Sequence, residues 1–245
     1  MFTLDRVVPW GRSFDEYRRM FALTDDDLQS SILGCADGPA SFNAEATARG
    51  HSVVSCDPIY RFSDDEIRRR IRETTDVIVE QTRRNRHEFV WTSIRSVEEL
   101  RDIRTSSMTT FLEDFEAGAR QGRYVVAELP ALPFGAATFR LALCSHLLFL
   151  YSEQLPEDFH VAAALEMCRV AREVRIFPLI ALGGARSGHV AAVSERLRRA
   201  GRVVTIERVD YEFQRGGNEM MRVGNHEDAK RTKSPTADRA LPTAD

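Results

Sequence analysis

The sequence predicts an α/β fold: a mostly parallel sheet of seven strands with an antiparallel last strand, helices on both faces, and a helical insertion after the second strand. Three observations carry this. Short apolar runs alternate with amphipathic helical stretches along most of the chain, the pattern of a parallel sheet with right-handed crossovers. The first run, 31–35, opens into a turn of small residues, Ala36-Asp37-Gly38, and then a helix. The second run ends in a carboxylate, Asp57. Small turn residues let a ligand approach the backbone, and an acid ending the next strand can accept hydrogen bonds from both hydroxyls of a ribose. That combination is the front of a nucleotide-type site.

The totals bound the function. A chain of 245 residues can bury a substantial core in one or two domains. A net charge of -3 gives no global field that would attract nucleic acid or an anionic membrane. The four cysteines, Cys35, Cys56, Cys144 and Cys168, form no CxxC pair, and the six histidines show no paired ligand spacing, so no metal site is expected. Free thiols imply a reducing compartment, no signal-like start precedes them, and no apolar run reaches the roughly 20 residues of a membrane span. A cytoplasmic protein without a membrane partner is the expectation.

In chain order, residues 1–28 form a helical segment. Ser13 with Glu16 reads as a capping box, and Phe14, Tyr17 and Phe21 keep helical spacing; a second start signal follows at Thr24. A domain over 29–223 comes next. Strand one is followed by a helix over 39–49, ended by Gly50, and by strand two over 51–56. Between Asp57 and Gly122 there is helical pattern only: one helix from Ser63, a second piece over 96–103 and a third over 106–119. A crossover needs only about a dozen residues, so 58–122 is read as an insertion capping the ligand crevice. Strand three spans 123–129, and a loop, Pro130 to Phe134, follows it. Strand four (139–145) is almost wholly apolar, hence buried on both faces. A helix over 159–170, strand five over 173–180, a helix over 187–200, strand material at 203–206 and 211–213, a Gly216-Gly217-Asn218 turn and a last strand over 219–223 complete the domain. The polar tail, 224–245, is expected to be disordered.

The order of Gly34-Cys35-Ala36-Asp37-Gly38, Asp57, Glu128-Leu129 with its Leu132-Pro133-Phe134 loop, and 139–145 running into His146 resembles the class I S-adenosylmethionine-dependent methyltransferases, a Rossmann-like family. The resemblance covers about residues 31–223 without the insertion. It implies S-adenosyl-L-methionine as cofactor, with Gly34, Cys35, Ala36, Asp37 and Gly38 around its methionine end, Asp57 on the ribose, Glu128 and Leu129 beside the adenine, and Ser145 and His146 where donor and acceptor meet. Two positions depart from the family's pattern. Ile32 stands where an acid is usual, and Ala36 stands where a glycine is usual. Asp37 can stand in for the missing acid by approaching the cofactor's ammonium group, and Ala36 is tolerated if its backbone angles are ordinary.

Methyl transfer from a sulfonium chiefly needs alignment, and a base only where the acceptor arrives protonated. His146 suits that role at neutral pH, or is a hydrogen-bonded structural residue. Tyr151 lines an acceptor pocket or packs under the 147–150 run. Arg215 and Asn218, at the Gly-Gly turn, reach an acceptor or only build the turn. Arg215 with Arg61 and Arg104 suits a carboxylate or phosphate on the substrate. The basic run from Arg68 to Arg86 is interleaved with acids at helical spacing, so it reads as a solvated face rather than a nucleic-acid site. The expected partner is a small-molecule acceptor. Two other functions fit the residues: a nicotinamide-dependent oxidoreductase, which leaves Ser41 where a third glycine belongs, and a non-catalytic cofactor-binding scaffold.

Overall fold

A computed structural model describes residues 1–4 and 7–225. The sheet has seven strands: β1 (Ser31–Cys35), β2 (Ser52–Cys56), β3 (Tyr124–Val125), β4 (Phe139–Ser145), β5 (Ala171–Phe177), β6 (Val203–Arg208) and β7 (Glu219–Gly224). Their order across the sheet is β3-β2-β1-β4-β5-β7-β6. All neighbours up to β5 are parallel, and β7 runs antiparallel to both β5 and β6. This is the expected sheet, with its antiparallel last strand inserted between β5 and β6.

Among the described residues seven α-helices surround it: α1 (Phe14–Met20), α2 (Asp25–Leu28), α3 (Phe42–Ala48), α4 (Asp64–Arg84), α5 (Val97–Arg120), α6 (Glu157–Val170) and α7 (His189–Arg199). Capping boxes at Ser13, Thr24 and Ser63 start α1, α2 and α4 by pairing orphan backbone donors with a side chain three residues on. Among the described residues no helix is long and apolar enough to cross a membrane.

The period-2 alternation of the strands divides the core. Leu33, Cys35, Ala142 and Cys144 join a cluster with α6 and α7, whereas Ile32, Leu141 and Leu143 join Phe14, Tyr17 and Phe42 of α1 and α3. Ile32 is fully buried there. An acid at that position would be an uncompensated charge in a core, which accounts for the departure from the family pattern.

Several boundaries differ from expectation, each for a physical reason. Helix α3 starts at Phe42 rather than 39, because the turn before it carries positive φ at Ala36 (57°) and Gly38 (54°). The pieces expected at 96–103 and 106–119 are one helix, α5: Ser107 does not cap a new helix but meets the Ser41 hydroxyl at 2.9 Å. β3 keeps two residues of the expected seven. It is an edge strand paired only with β2, and the chain turns at once into a Glu128–Ala131 bridge. β5 ends at Phe177, since Pro178 has no N–H for the ladder. Residues 211–213 lie outside any strand. Gly224 belongs to β7, and the remaining tail from residue 226 lies outside the described residues.

The insertion and the amino-terminal segment are joined by a buried ion pair. Arg104 of α5 donates from Nη1 and Nη2 to the two carboxylate oxygens of Glu16 in α1, at 2.5 and 2.7 Å. Tyr211 donates to the same carboxylate at 2.8 Å. Removing one member of such a pair strands a buried charge, so Glu16→Gln is expected to lower stability by about 3–5 kcal/mol in chemical denaturation. A loss below about 1 kcal/mol would show that the pair does not hold these segments together.

Candidate functional site

A cavity of about 440 Å³ opens at the carboxyl ends of β1, β2 and β4. In open α/β sheets this is where ligands bind. Four parts of the chain wall it, one of them the loops after β5 and after β6, which bring Leu182, Phe213 and Gln214. The strand ends contribute Ala36, Asp37, Gly38, Asp57, Ser145 and His146. The insertion contributes Ile59, Arg61, Phe62, Arg70, Ile78 and Arg104, among others. The amino-terminal segment adds Val8, Trp10, Arg12 and Tyr17.

The turn after β1 is built around Asp37. Its Oδ1 accepts from the Tyr17 hydroxyl at 2.8 Å and its Oδ2 from the Ser55 hydroxyl at 2.6 Å. The carboxylate folds back over Gly34, where any Cβ would overlap it. Gly34 is therefore glycine to make room for Asp37, not for a ligand. The turn requires left-handed backbone at Ala36, so its angles are not the ordinary ones that would excuse the missing glycine; an L-residue there costs about 1–2 kcal/mol. Its N–H is satisfied by the Cys56 carbonyl at 2.8 Å.

Asp57 faces the same cavity. Its Oδ2 accepts from the Gly38 N–H at 2.9 Å and its Oδ1 from the Ile59 N–H at 2.8 Å, which orients the carboxylate and leaves lone pairs on both oxygens. Burial pushes Asp57 up to about 6, with the charge of Glu128 adding to it against the two backbone donors and Arg61. Burial likewise raises Asp37 to about 6 over the opposing Ser55 and Tyr17 hydrogen bonds, and Asp57 pushes it further. A buried carboxylate and a half-buried one thus share one cavity, and the charge of Asp57 opposes ionisation of Asp37.

At the β4 end, His146 also has positive φ, 58°. Its Nδ1 lies 2.7 Å from Ser145 Oγ, and its backbone N–H donates to the Phe177 carbonyl at 2.7 Å. Burial, then the charges of Arg12 and Arg104, hold its pKa well below the usual imidazole range, so the ring is neutral at physiological pH. Tyr151 lines the cavity, and its hydroxyl accepts from the Val8 N–H at 3.3 Å.

The remaining expected residues are not brought into this space. Cys35 is fully buried beneath the turn, beside Cys56, and Leu129 sits in the main core cluster. Glu128 is exposed outside the cavity, close enough only for its charge to bear on Asp57. Arg215 and Asn218 are not among the residues that line the cavity. Arg215 donates to the carbonyls of His87 and Phe89, both at 3.3 Å, while the Asn218 side chain donates to Glu212 at 3.1 Å. Arg61 lines the cavity, but Arg104 is committed to Glu16. The basic face of α4 is paired as its spacing implies: Arg68 with Asp64, Arg69 with Glu73, Arg84 with Glu80.

Arg12, Trp10 and the cavity role of Tyr17 escaped the sequence reading. Tyr17 has the spacing of an ordinary core aromatic, and nothing in the local pattern separates Arg12 from the surface arginines.

No family model matches the chain. The uncharacterized protein MJ0045 of Methanocaldococcus jannaschii is 32% identical over 219 residues, covering 89% of this chain and 96% of that protein. Among solved structures, an O-methyltransferase of neocarzinostatin biosynthesis in complex with S-adenosyl-L-homocysteine and 1,4-dihydroxy-2-naphthoic acid aligns at 11% identity and a TM-score of 0.45, over 86% of this chain and 53% of that one. The chain thus spans about half the length of that enzyme. Magnesium protoporphyrin IX methyltransferase of Synechocystis PCC 6803 with bound SAM aligns at 10% identity and a TM-score of 0.44, over 86% and 90%. The fold assignment rests on the strand order and register above.

The packing of Asp37 over Gly34 is testable by a double-mutant cycle. Gly34→Ala displaces the carboxylate and strands the Tyr17 and Ser55 hydroxyls, an expected loss of about 2–4 kcal/mol in urea denaturation. Adding Asp37→Ala removes the overlap, so the double variant is expected to lose clearly less than the sum of the two single changes. Simple additivity would contradict the arrangement.

Proposed function

We propose that this chain, which belongs to one family with the MJ0045 protein of Methanocaldococcus jannaschii, is an S-adenosylmethionine-dependent methyltransferase acting on a small acceptor enclosed by the insertion. The observation that carries the reading is the pair of carboxylates, Asp37 buried and Asp57 half-buried, both lining one cavity at the strand ends. Holding two like charges in a poorly hydrated space is unfavourable unless a ligand brings positive charge and hydroxyl donors to them. A ligand with an ammonium and a sulfonium at one end and a ribose diol at the other meets both needs. Asp57 has lone pairs free on both oxygens for the diol, and Asp37 is the nearest acid to the turn.

When bound, the donor supplies an electrophilic methyl group on its sulfonium sulfur. The chain's own part is alignment and exclusion of water: Tyr151, Leu147 and Leu150 wall the acceptor side next to His146. A neutral His146, its Nδ1 oriented by Ser145, is in the form that accepts a proton from an acceptor hydroxyl or amine. The oxidoreductase reading fares worse. A dinucleotide would bring its anionic pyrophosphate to the turn, against Asp37 and Asp57. The strained Ala36 and His146 and the two perturbed acids fit a working ligand site, where such costs cluster, and turnover of the donor with an acceptor is what separates an enzyme from a non-catalytic cofactor-binding scaffold.

Titration with S-adenosylhomocysteine, with NAD and NADP in parallel, tests the reading. Micromolar binding of the first alone is expected, and binding of a nicotinamide cofactor instead would refute it. Asp57→Ala is expected to weaken S-adenosylhomocysteine at least tenfold, through two lost hydrogen bonds to a charged group.

The pH dependence follows from the raised acids. Unliganded, their folded pKa exceeds the unfolded value, so their stabilising contribution is fully present below about 4 and is lost as pH rises through about 6. A cationic ligand prefers the ionised acids. Affinity for S-adenosylhomocysteine is therefore expected to rise as pH increases from 5 to 7 and to level off above. A flat or falling profile would mean that the acids do not meet the ligand's positive end.

A further inference from the structure

We propose that Arg12 is a carboxylate-recognition residue of this cavity, a reading that rests on the proposed function and extends it to the chemistry of the bound partner. Arg12 lines the cavity, near enough to His146 and Tyr151 for its charge to bear on both. Among the described residues the only hydrogen bond of its guanidinium is from Nη1 to the Trp10 carbonyl at 3.1 Å. Its Nε is buried without a partner. No described carboxylate lies within ion-pair distance of it. Glu16, the acid whose charge does reach Arg12, is already engaged by both Nη atoms of Arg104 and by Tyr211.

The charges at this end of the cavity do not close. Two guanidinium groups, Arg12 and Arg104, face one carboxylate, and His146 is neutral between them. One positive charge is left over, on a planar fork with free donors. A monoanion neutralises it, whereas a phosphate dianion leaves the site negative. A carboxylate also accepts from such a fork in the bidentate geometry that guanidinium favours. The walls around it are apolar and aromatic: Val8, Trp10, Leu150, Leu182 and Phe213. The matching group is a carboxylate on an apolar body. It comes either from the methyl acceptor or from the methionine end of the donor, and the two sources separate experimentally.

The test uses the full-length protein and titrates 3-phenylpropanoate, its uncharged analogue 3-phenylpropanamide and phenyl phosphate, with and without saturating S-adenosylhomocysteine. Trp10 fluorescence reports occupancy and calorimetry reports affinity. Wild type is expected to prefer the propanoate over both the amide and the phosphate by about tenfold or more, the worth of a charge-assisted pair. Arg12→Met is expected to abolish that preference and Arg12→Lys to keep part of it. If the acceptor is the source, Arg12→Met leaves S-adenosylhomocysteine affinity within about twofold. If the donor is the source, Arg12→Met weakens S-adenosylhomocysteine about tenfold, and bound S-adenosylhomocysteine removes the propanoate preference.

The assignment is overturned if wild type fails to discriminate propanoate from amide, including by binding neither, while Arg12→Met leaves S-adenosylhomocysteine affinity unchanged. It is overturned equally if phosphate is preferred. Wild type and Arg12→Lys carry the comparison if Arg12→Met does not fold. Propanoate selection without S-adenosylhomocysteine binding would retain Arg12 as a carboxylate site and reject the methyltransferase reading; the reverse result would do the opposite.

Discussion

The carboxylate of Glu16 is where three distant parts of the chain meet. It caps its own helix through Ser13, takes both arms of Arg104 from the insertion, and accepts from Tyr211 in the loop before β7. Burial acts to raise this acid, but the Arg104 guanidinium, with Arg12 and the Ser13 N–H, holds it at about 2. It is therefore ionised at any physiological pH. The insertion and the amino-terminal segment are two of the cavity's walls, and the contact of the Met1 ammonium with Glu88, at 3.4 Å, is a second and more exposed charged tie between them. A buried pair such as Glu16 with Arg104 adds little net stability over an apolar replacement, but breaking it is costly. Its larger consequence is electrostatic, because it uses up Arg104 and leaves Arg12 as the surplus cation.

The cavity is polarised as a result. By the turn, Asp57 adds to the cost of ionising Asp37; by His146, burial and then the charges of Arg12 and Arg104 keep the ring neutral. The turn after β1 supplies the acidic end by an unusual route. Ile32 is committed to the core, so the acid comes from Asp37, folded back over Gly34 and held by Tyr17 and Ser55. That arrangement constrains four residues at once, and it is kept despite left-handed backbone at Ala36. Local strain of this sort persists only where the surroundings overdetermine it.

Much of the fold was legible because it lies in local pattern. Apolar runs mark β1, β2 and β4, capping boxes mark α1 and α4, and Asp57 follows directly on β2. What was not legible depends on partners far away in the chain. The shortness of β3 reflects its place at the sheet edge, and the continuity of α5 through Ser107 depends on Ser41, sixty-six residues earlier. Arg215 and Asn218 look available in the sequence and are consumed by the loop that follows α4 and by Glu212. Arg12 presents the opposite case: an unremarkable arginine becomes distinctive only when its neighbours' charges are counted in three dimensions.

The most direct test of the account is a crystal structure of the protein with S-adenosylhomocysteine. The account expects both ribose hydroxyls on the Asp57 oxygens, the amino group on the Asp37 side of the cavity, and sulfur facing His146 and Tyr151. Density for the ligand elsewhere, or a ribose that does not touch Asp57, would contradict it.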